Sequence, residues 1–314
     1  MPKVCVLGGG TGQSIILKGL KNIDHIDLSA IVTVSDDGGS TGKLRSEFNI
    51  PGMGDIRAVM VALASEDSML PAVLDYRFDS LDSKSLGGHN LGNLILTALT
   101  QKTGNFMEAV GYVSSILNVR GQIIPSSLQN LTLMAKMSDG TIVRGESNIP
   151  RFSNNIKEVY YEEKVKATRE AVSAIMDSDV VVLGVGSLYT SILPNVIIPE
   201  IKEALHKTNA KIVYYCNVMT QPGETDAYTV RDHVQALLSH MDTAIDWVIV
   251  DNNTFPPEVM ARYLEYKSEL VTYDPNLKVD YKVLRHDVVS VEDGLIRHDS
   301  DKIRASFEKV LELI

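Results

Sequence analysis

Residues 3–20 read KVCVLGGGTGQSIILKGL: a short apolar run, a glycine-rich turn, then apolar residues at helical spacing. Strand, turn and helix in that order form the opening unit of an alternating α/β chain. The pattern recurs. LSAIVTV (28–34) is a second buried run, ended by SDDGGSTG (35–42), and DVVVLGVG (179–186), AKIVYYCN (210–217) and IDWVIVDNN (245–253) are three more. Each is almost wholly apolar, as strands of a parallel sheet covered on both faces must be. The intervening spacing predicts helices over 54–64, 89–100, 105–117, 167–178, 227–240 and 301–314, the last capped by Asp299 or Ser300. The expected fold class is α/β: a three-layer, Rossmann-like, doubly wound fold on a mainly parallel sheet. One stretch breaks the alternation. NLTLMAKMSDGTIVRGE (130–146) alternates like a hairpin turning at Asp139-Gly140, and EVYYEE (158–163) follows as a third strand. About 120–165 is therefore read as a small β-rich insertion within a single domain spanning 1–314.

Composition narrows the function. The 314 residues are 44% hydrophobic and 22% charged, ordinary for a globular protein with a sizeable core. Thirty basic against forty acidic side chains leave a net charge of −10. That argues against a general grip on nucleic acid or an anionic membrane. No run approaches the roughly 18 apolar residues of a membrane span, and Met-Pro-Lys leads straight into a strand without a signal-peptide pattern. A cytoplasmic location is expected. Cys5 and Cys216 lie in apolar runs and are expected to be buried, reduced thiols. The histidines lack metal-type spacing, so no zinc site is expected.

Ligands of an open parallel sheet bind beyond the carboxyl ends of its strands. The glycine- and polar-rich segments of this sequence fall there repeatedly. In the first, Gly9, Gly10, Thr11 and Gly12 could bring backbone N–H groups to a phosphate at a helix start; the alternative is a tight turn. This is not a Walker A loop, since no Lys-Ser or Lys-Thr follows, and a dinucleotide fingerprint begun at Gly8 would end on Gln13. In the second, Asp36 and Asp37 could hold Mg²⁺ with a substrate phosphate, or accept from a sugar hydroxyl. Ser40, Thr41, Lys43 and Arg45 could meet phosphate oxygens; the alternative is a capping turn. In the third, Asn90 and Asn93 are ligand candidates, because Asn in an apolar helix needs a partner. His89 reads better as structural, and Asp55 and Arg57 as a cap and a surface charge. In the fourth, Gly186, Ser187, Tyr189, Thr190 and Ser191 offer donors at a helix start, suited to a second phosphate. In the fifth, Asn217, Thr220, Gln221 and Glu224 suit a base or sugar. Two phosphate-friendly loops on separate strands fit a diphosphate ligand such as a sugar nucleotide or dinucleotide. NAD(P) thus stands beside Mg²⁺ as a candidate cofactor, and neither is required.

At these same segments the chain resembles a known family. GGGTGQSIILKGL, AIVTVSDDGGSTGKLR, GDIR, GGHNLGNL, GSLYTSILPN and NVMTQPGET together are similar to the YvcK-type gluconeogenesis factors of bacteria. One departure is Gly184-Val185-Gly186, where that family usually has Gly-Pro-Gly. The resemblance implies a cytosolic protein that binds UDP-sugars, notably UDP-N-acetylglucosamine, without an established reaction. It further implies support of cell shape and cell-wall (peptidoglycan) synthesis on gluconeogenic carbon sources, with partners among cell-wall synthesis proteins. More distant relatives are the Mg²⁺-dependent 2-phospho-L-lactate transferases (CofD-like), which suggests Asp36 and Asp37 as a metal position. By the same resemblance Arg297 and Tyr263, with Tyr266 as an alternative, help to hold the UDP-sugar. Ser300 falls where the family carries a phosphorylatable hydroxyl, which would engage a Ser/Thr kinase; its other reading is an ordinary helix cap. Three functions follow for test: a UDP-sugar-binding regulator or scaffold, a Mg²⁺-dependent transferase, and an NAD(P)-binding protein.

Overall fold

Alternate residues of the first strand feed two different cores. Val4 and Val6 pack into one, Cys5 and Leu7 into the other, and all four are fully buried. A strand with two apolar faces belongs in the middle of a covered sheet, and the computed structural model, which describes residues 1–65, 68–79, 85–152 and 155–314, places it there. Along the chain, β1 (Lys3–Gly8), β2 (Asp27–Val32) and β3 (Gln122–Pro125) build one half of the main sheet. A separate antiparallel sheet follows from β4 (Leu133–Met137), β5 (Ile142–Arg144) and β6 (Ile156–Tyr161). β7 (Val180–Leu183), β8 (Lys211–Tyr215), β9 (Trp247–Asp251) and β10 (Lys282–His286) complete the main sheet, and β11 (Val289–Glu292) and β12 (Leu295–His298) form a hairpin. The main sheet runs β10-β9-β8-β7-β1-β2-β3, and every pairing in it is parallel. Val4 pairs with Leu28 on one side and Val180 on the other. The winding therefore reverses between β1 and β7, which is where such sheets open a crevice.

Helices cover both faces. α1 (Gly10–Leu20), α2 (Gly39–Phe48), α3 (Gly54–Leu63), α4 (Leu70–Asp75), α5 (Leu91–Thr103) and α6 (Phe106–Ile116) lie on one side. α7 (Arg169–Met176), α8 (Leu193–Val196), α9 (Pro199–Lys207) and α10 (Val230–Met241) lie on the other, beneath the small sheet. α11 (Pro257–Glu265) and α12 (Ser300–Leu311) return to the first side. Asp299 caps α12, accepting from the Asp301 and Lys302 N–H groups at 2.9 and 3.1 Å.

The hairpin expected at 130–146 is present, with β6 as its third strand. The expected boundary at about residue 120 differs: Gln122–Pro125 pairs with β2 as the edge of the main sheet, and the small sheet begins at Leu133. Cys5 and Cys216 are free and buried, and burial pushes both thiols up to about 12. Among the described residues no helix is long and apolar enough to cross a membrane.

Candidate functional site

The glycine loop ends β1 at the reversal point. α1 starts at Gly10, so the first-turn N–H groups of Gly10, Thr11 and Gly12 have no acceptor within the helix. Gly12 lies against the β7 loop. A Cβ there would collide with the Val185 carbonyl oxygen and stand 2.6 Å from the Gly186 Cα. The two glycine segments of the sequence are thus one surface. Gly186 has φ of 130°, open only to glycine, and Asn217 holds it there. The Asn217 amide donates to the Gly186 carbonyl (2.8 Å) and accepts from its N–H (3.2 Å). Gln13, which stands where a dinucleotide fingerprint would have its last glycine, is buried. Its Nε2 donates to the Val6 and Ile31 carbonyls, both at 2.9 Å, and so ties β1 to β2.

A crevice of about 190 Å³ opens between these loops and the β11–β12 hairpin, lined among others by Gly12, Gly186, Asn217, Gln221, Arg297 and His298. Arg297 is exposed, and no hydrogen bond or ion pair engages its guanidinium among the described residues. Gln221 Oε1 and His298 Nε2 are sealed from solvent without partners. Burial pulls His298 down to about 4, so its ring is neutral at physiological pH. The sequence offered no reason to single out His298 beyond its place beside Arg297.

Other candidates have different occupations. Arg45 is buried, and its donors go to Asn130 Oδ1 and the Ser35, Asp36 and Leu131 carbonyls. It pins the loop after β2 with four of its five N–H donors. Lys43 is exposed. Ser40 and Thr41 accept from Asn93 Nδ2 at 3.4 and 3.2 Å, and Ser40 also meets His89 Nδ1 at 3.1 Å. Asn90 caps α5 through the Asn93 N–H, and its amide donates to the Asp75 carbonyl. These bonds tie α2 to α5. Ser187 caps the turn after β7, accepting from the Thr190 N–H at 2.9 Å and donating to Glu224. Ser191 follows it beside Gly186. Tyr189 points into the second core, 2.8 Å from the Tyr228 hydroxyl. Thr220 accepts from the Glu269 N–H at 2.8 Å.

Tyr263 is buried, and its hydroxyl is spent on one residue: it accepts from the Ile296 N–H (2.7 Å) and donates to the Ile296 carbonyl (3.0 Å). It supports the strand that presents Arg297 instead of reaching the crevice itself. Tyr266, by contrast, is exposed. Tyr263→Phe removes both bonds and should cost the hairpin about 1–2 kcal/mol. Faster amide exchange across 289–298, with the rest of the sheet unchanged, is the expected readout; unchanged exchange there would discard the strut.

The other flank of the glycine loop is acidic. Asp36 accepts from the Gly38 N–H and the Thr41 hydroxyl, yet burial still raises it. Asp37 accepts from the Ser147 N–H at 2.9 Å, joining this loop to the insertion. Asp55, in the first turn of α3, turns its carboxyl onto the glycine loop: a Cβ at Gly9 would collide with Oδ2, and one at Gly10 would lie 3.1 Å from Oδ1. Burial first, then the charge of Asp36, raises Asp55 to about 7. The same causes raise Glu146 to about 8. Asp55 is therefore no simple cap, and its neighbour Arg57 pairs with Asp75. Glu146 sits in a short 3₁₀ turn of the insertion, where no sequence pattern marks it. Among the described residues no three His, Cys, Asp or Glu side chains are grouped to hold a metal ion.

Comparison with known proteins gives the family and the fold. The family model described as "2-phospho-L-lactate transferase CofD" matches residues 4–290. The gluconeogenesis factor of Bacillus subtilis is 43% identical over 99% of this chain and 98% of its own length. The putative gluconeogenesis factor of Thermotoga maritima is 41% identical over 98% of this chain and 99% of its own. A crystal structure of a member of the UPF0052 family from Bacillus halodurans superposes with a TM-score of 0.93 at 42% identity, covering 98% of this chain and 99% of that one. An α/β sheet reversing at a glycine loop, full-length similarity and the same architecture lead to one assignment: the chain belongs to the gluconeogenesis factor (YvcK, UPF0052) family, with a CofD-type fold.

Proposed function

We propose that the crevice between the glycine loops and the β11–β12 hairpin binds a UDP-sugar, UDP-N-acetylglucosamine in the first instance. In this reading the protein acts as a cytoplasmic regulator or scaffold for cell-wall synthesis and cell shape. The observation that carries the reading is the unpaired Arg297 guanidinium lining the same crevice as Gly12, at the N-terminus of α1. A cation beside the N-terminus of a helix suits a diphosphate.

Calorimetric titration with UDP-N-acetylglucosamine, with and without Mg²⁺, tests the proposal, followed by a search for breakdown products. Metal-independent binding without product is expected. Arg297→Ala should weaken it by about 1.5–3 kcal/mol, the range for a charge-assisted contact; an unchanged affinity would remove Arg297 from the site. The acidic flank supports a second reading. If Asp36 and Asp37 hold Mg²⁺ for group transfer, binding should require the metal and product should form. NAD⁺ serves as the control for the dinucleotide reading.

A further inference from the structure

A groove of about 530 Å³ runs along the seam between the small sheet and the main fold. One wall is β6 and the residues just after it; the other is the start of α9 and the last turn of α10. β6 is an edge strand, and an edge invites a further strand. Here that slot is closed. His240 on α10 accepts from the Val159 N–H at 3.2 Å, while its Nδ1 faces the Ala236 carbonyl at 2.7 Å. An occupant of the groove is therefore read by side chains and not by strand pairing.

Those side chains carry a sign. Glu158 pairs with Lys136 at 3.3 Å, and Lys202 pairs with Asp242. Glu163 accepts from the Thr132 N–H at 2.8 Å. The uncommitted charges of the lining are Lys157 and Lys164, both exposed and without an ion pair among the described residues. One is in β6, the other three residues past its end. Tyr160, between them in sequence, is 39% exposed, and Val165 and Ile197 add half-buried apolar surface. In a chain of net charge −10, this groove offers two free cations around an apolar middle.

We infer that the groove docks an acidic segment of another protein, with carboxylates at both ends and an apolar side chain between them. The apolar anchor supplies the affinity, and the flanking charges set the sign and register of the partner. The inference deepens the scaffold reading and rests on it for its biological sense; the contact itself depends only on the groove. The insertion that carries β6 also touches the ligand flank. Asp37 accepts from its Ser147 N–H at 2.9 Å. A Cβ at Gly223, two residues from Gln221 of the crevice, would collide with its Pro150 carbonyl. A partner seated on β6 thus holds the element that packs against both loops.

The probe is a short fluorescein-labelled peptide with glutamates at both ends and a leucine–phenylalanine centre, followed by fluorescence anisotropy. Binding should saturate and weaken with added salt. It should fall about tenfold or more in the double variant Lys157→Glu, Lys164→Glu, where like charges meet. A companion peptide with lysines in place of the glutamates should bind that variant better than the wild type. Both substitutions lie on the surface, and circular dichroism checks that the fold is kept. A photo-crosslinker at the peptide centre should label within 157–165 or 197–202. The groove assignment is overturned if the wild type does not bind the acidic peptide, if the double variant binds it as tightly, or if the label falls elsewhere. Titration of the same protein with UDP-N-acetylglucosamine keeps the two readings apart. Charge-swapped peptide binding without UDP-sugar affinity upholds the groove and empties the crevice of that ligand; UDP-sugar affinity without peptide binding does the reverse.

Discussion

Asp55→Asn is expected to stabilise the ligand-free protein by about 4 kcal/mol at pH 8 and by under about 2 kcal/mol at pH 5. Burial moves this carboxyl from its ordinary 3.8 to about 7, and each tenfold change in proton affinity is worth about 1.4 kcal/mol. The sign follows from which state holds the proton. A folded carboxyl above its unfolded value keeps its proton longer than the unfolded chain does. The native state is therefore favoured at low pH and loses ground as pH rises from about 4 to 7. Asn removes the charge and keeps the shape, so the gain should appear as that penalty does. Denaturant unfolding at the two pH values measures it; a gain independent of pH, or none, would contradict a buried charge. A group that costs stability beside a ligand loop is a mark of functional use. The titration of Asp55 should accordingly shift when a phosphate ligand occupies the loop.

Gly12→Ala should be the more damaging change, costing about 3 kcal/mol of stability through overpacking and abolishing measurable UDP-sugar binding. The added methyl has no room, because it meets the Val185 carbonyl and the Gly186 Cα, both backbone. Backbone cannot rotate away as a side chain can. Either α1 or the β7 loop must shift, and each carries part of the crevice. Gly111→Ala is the matched control, since a Cβ there has open space. Thermal unfolding and calorimetry on the pair separate steric conflict from a generic glycine effect; equal behaviour of the two would refute the close approach.

Much of this was legible from residue patterns, and the exceptions have physical causes. The interior strands are apolar on both faces, so β1, β2, β7, β8 and β9 stand out. The edges do not. β10 reads KVLRH, with exposed Lys282 and Arg285, because one of its sides has no neighbouring strand. β3 has only four residues. The β11–β12 hairpin does carry a turn signal, Asp293-Gly294, with φ of 50° and 74°. Its flanking runs are too short for alternation to show. At the site, glycines and Asn217 announce themselves because backbone approach and a constrained peptide need those residue types. Arg45 and Ser187 share the composition of phosphate ligands, and only their hydrogen-bond partners reveal a structural duty. Glu146 is invisible in sequence because its environment is assembled from Asp36, Asp37 and Asp55 on other segments.

The crevice joins a loop at the start of the chain to a hairpin near its end, and that has a consequence for synthesis. Gly12 leaves the ribosome almost a full chain length before Arg297. A nascent chain can pair β1, β2 and β3 early, since these are local neighbours, but β1 must wait for β7 on its other side. Contacts of such sequence separation form late. Ligand can therefore not act as a template for the early sheet. It recognises only the finished molecule, and ligand-dependent protection from proteolysis should be absent from any ribosome-arrested chain that stops short of the hairpin.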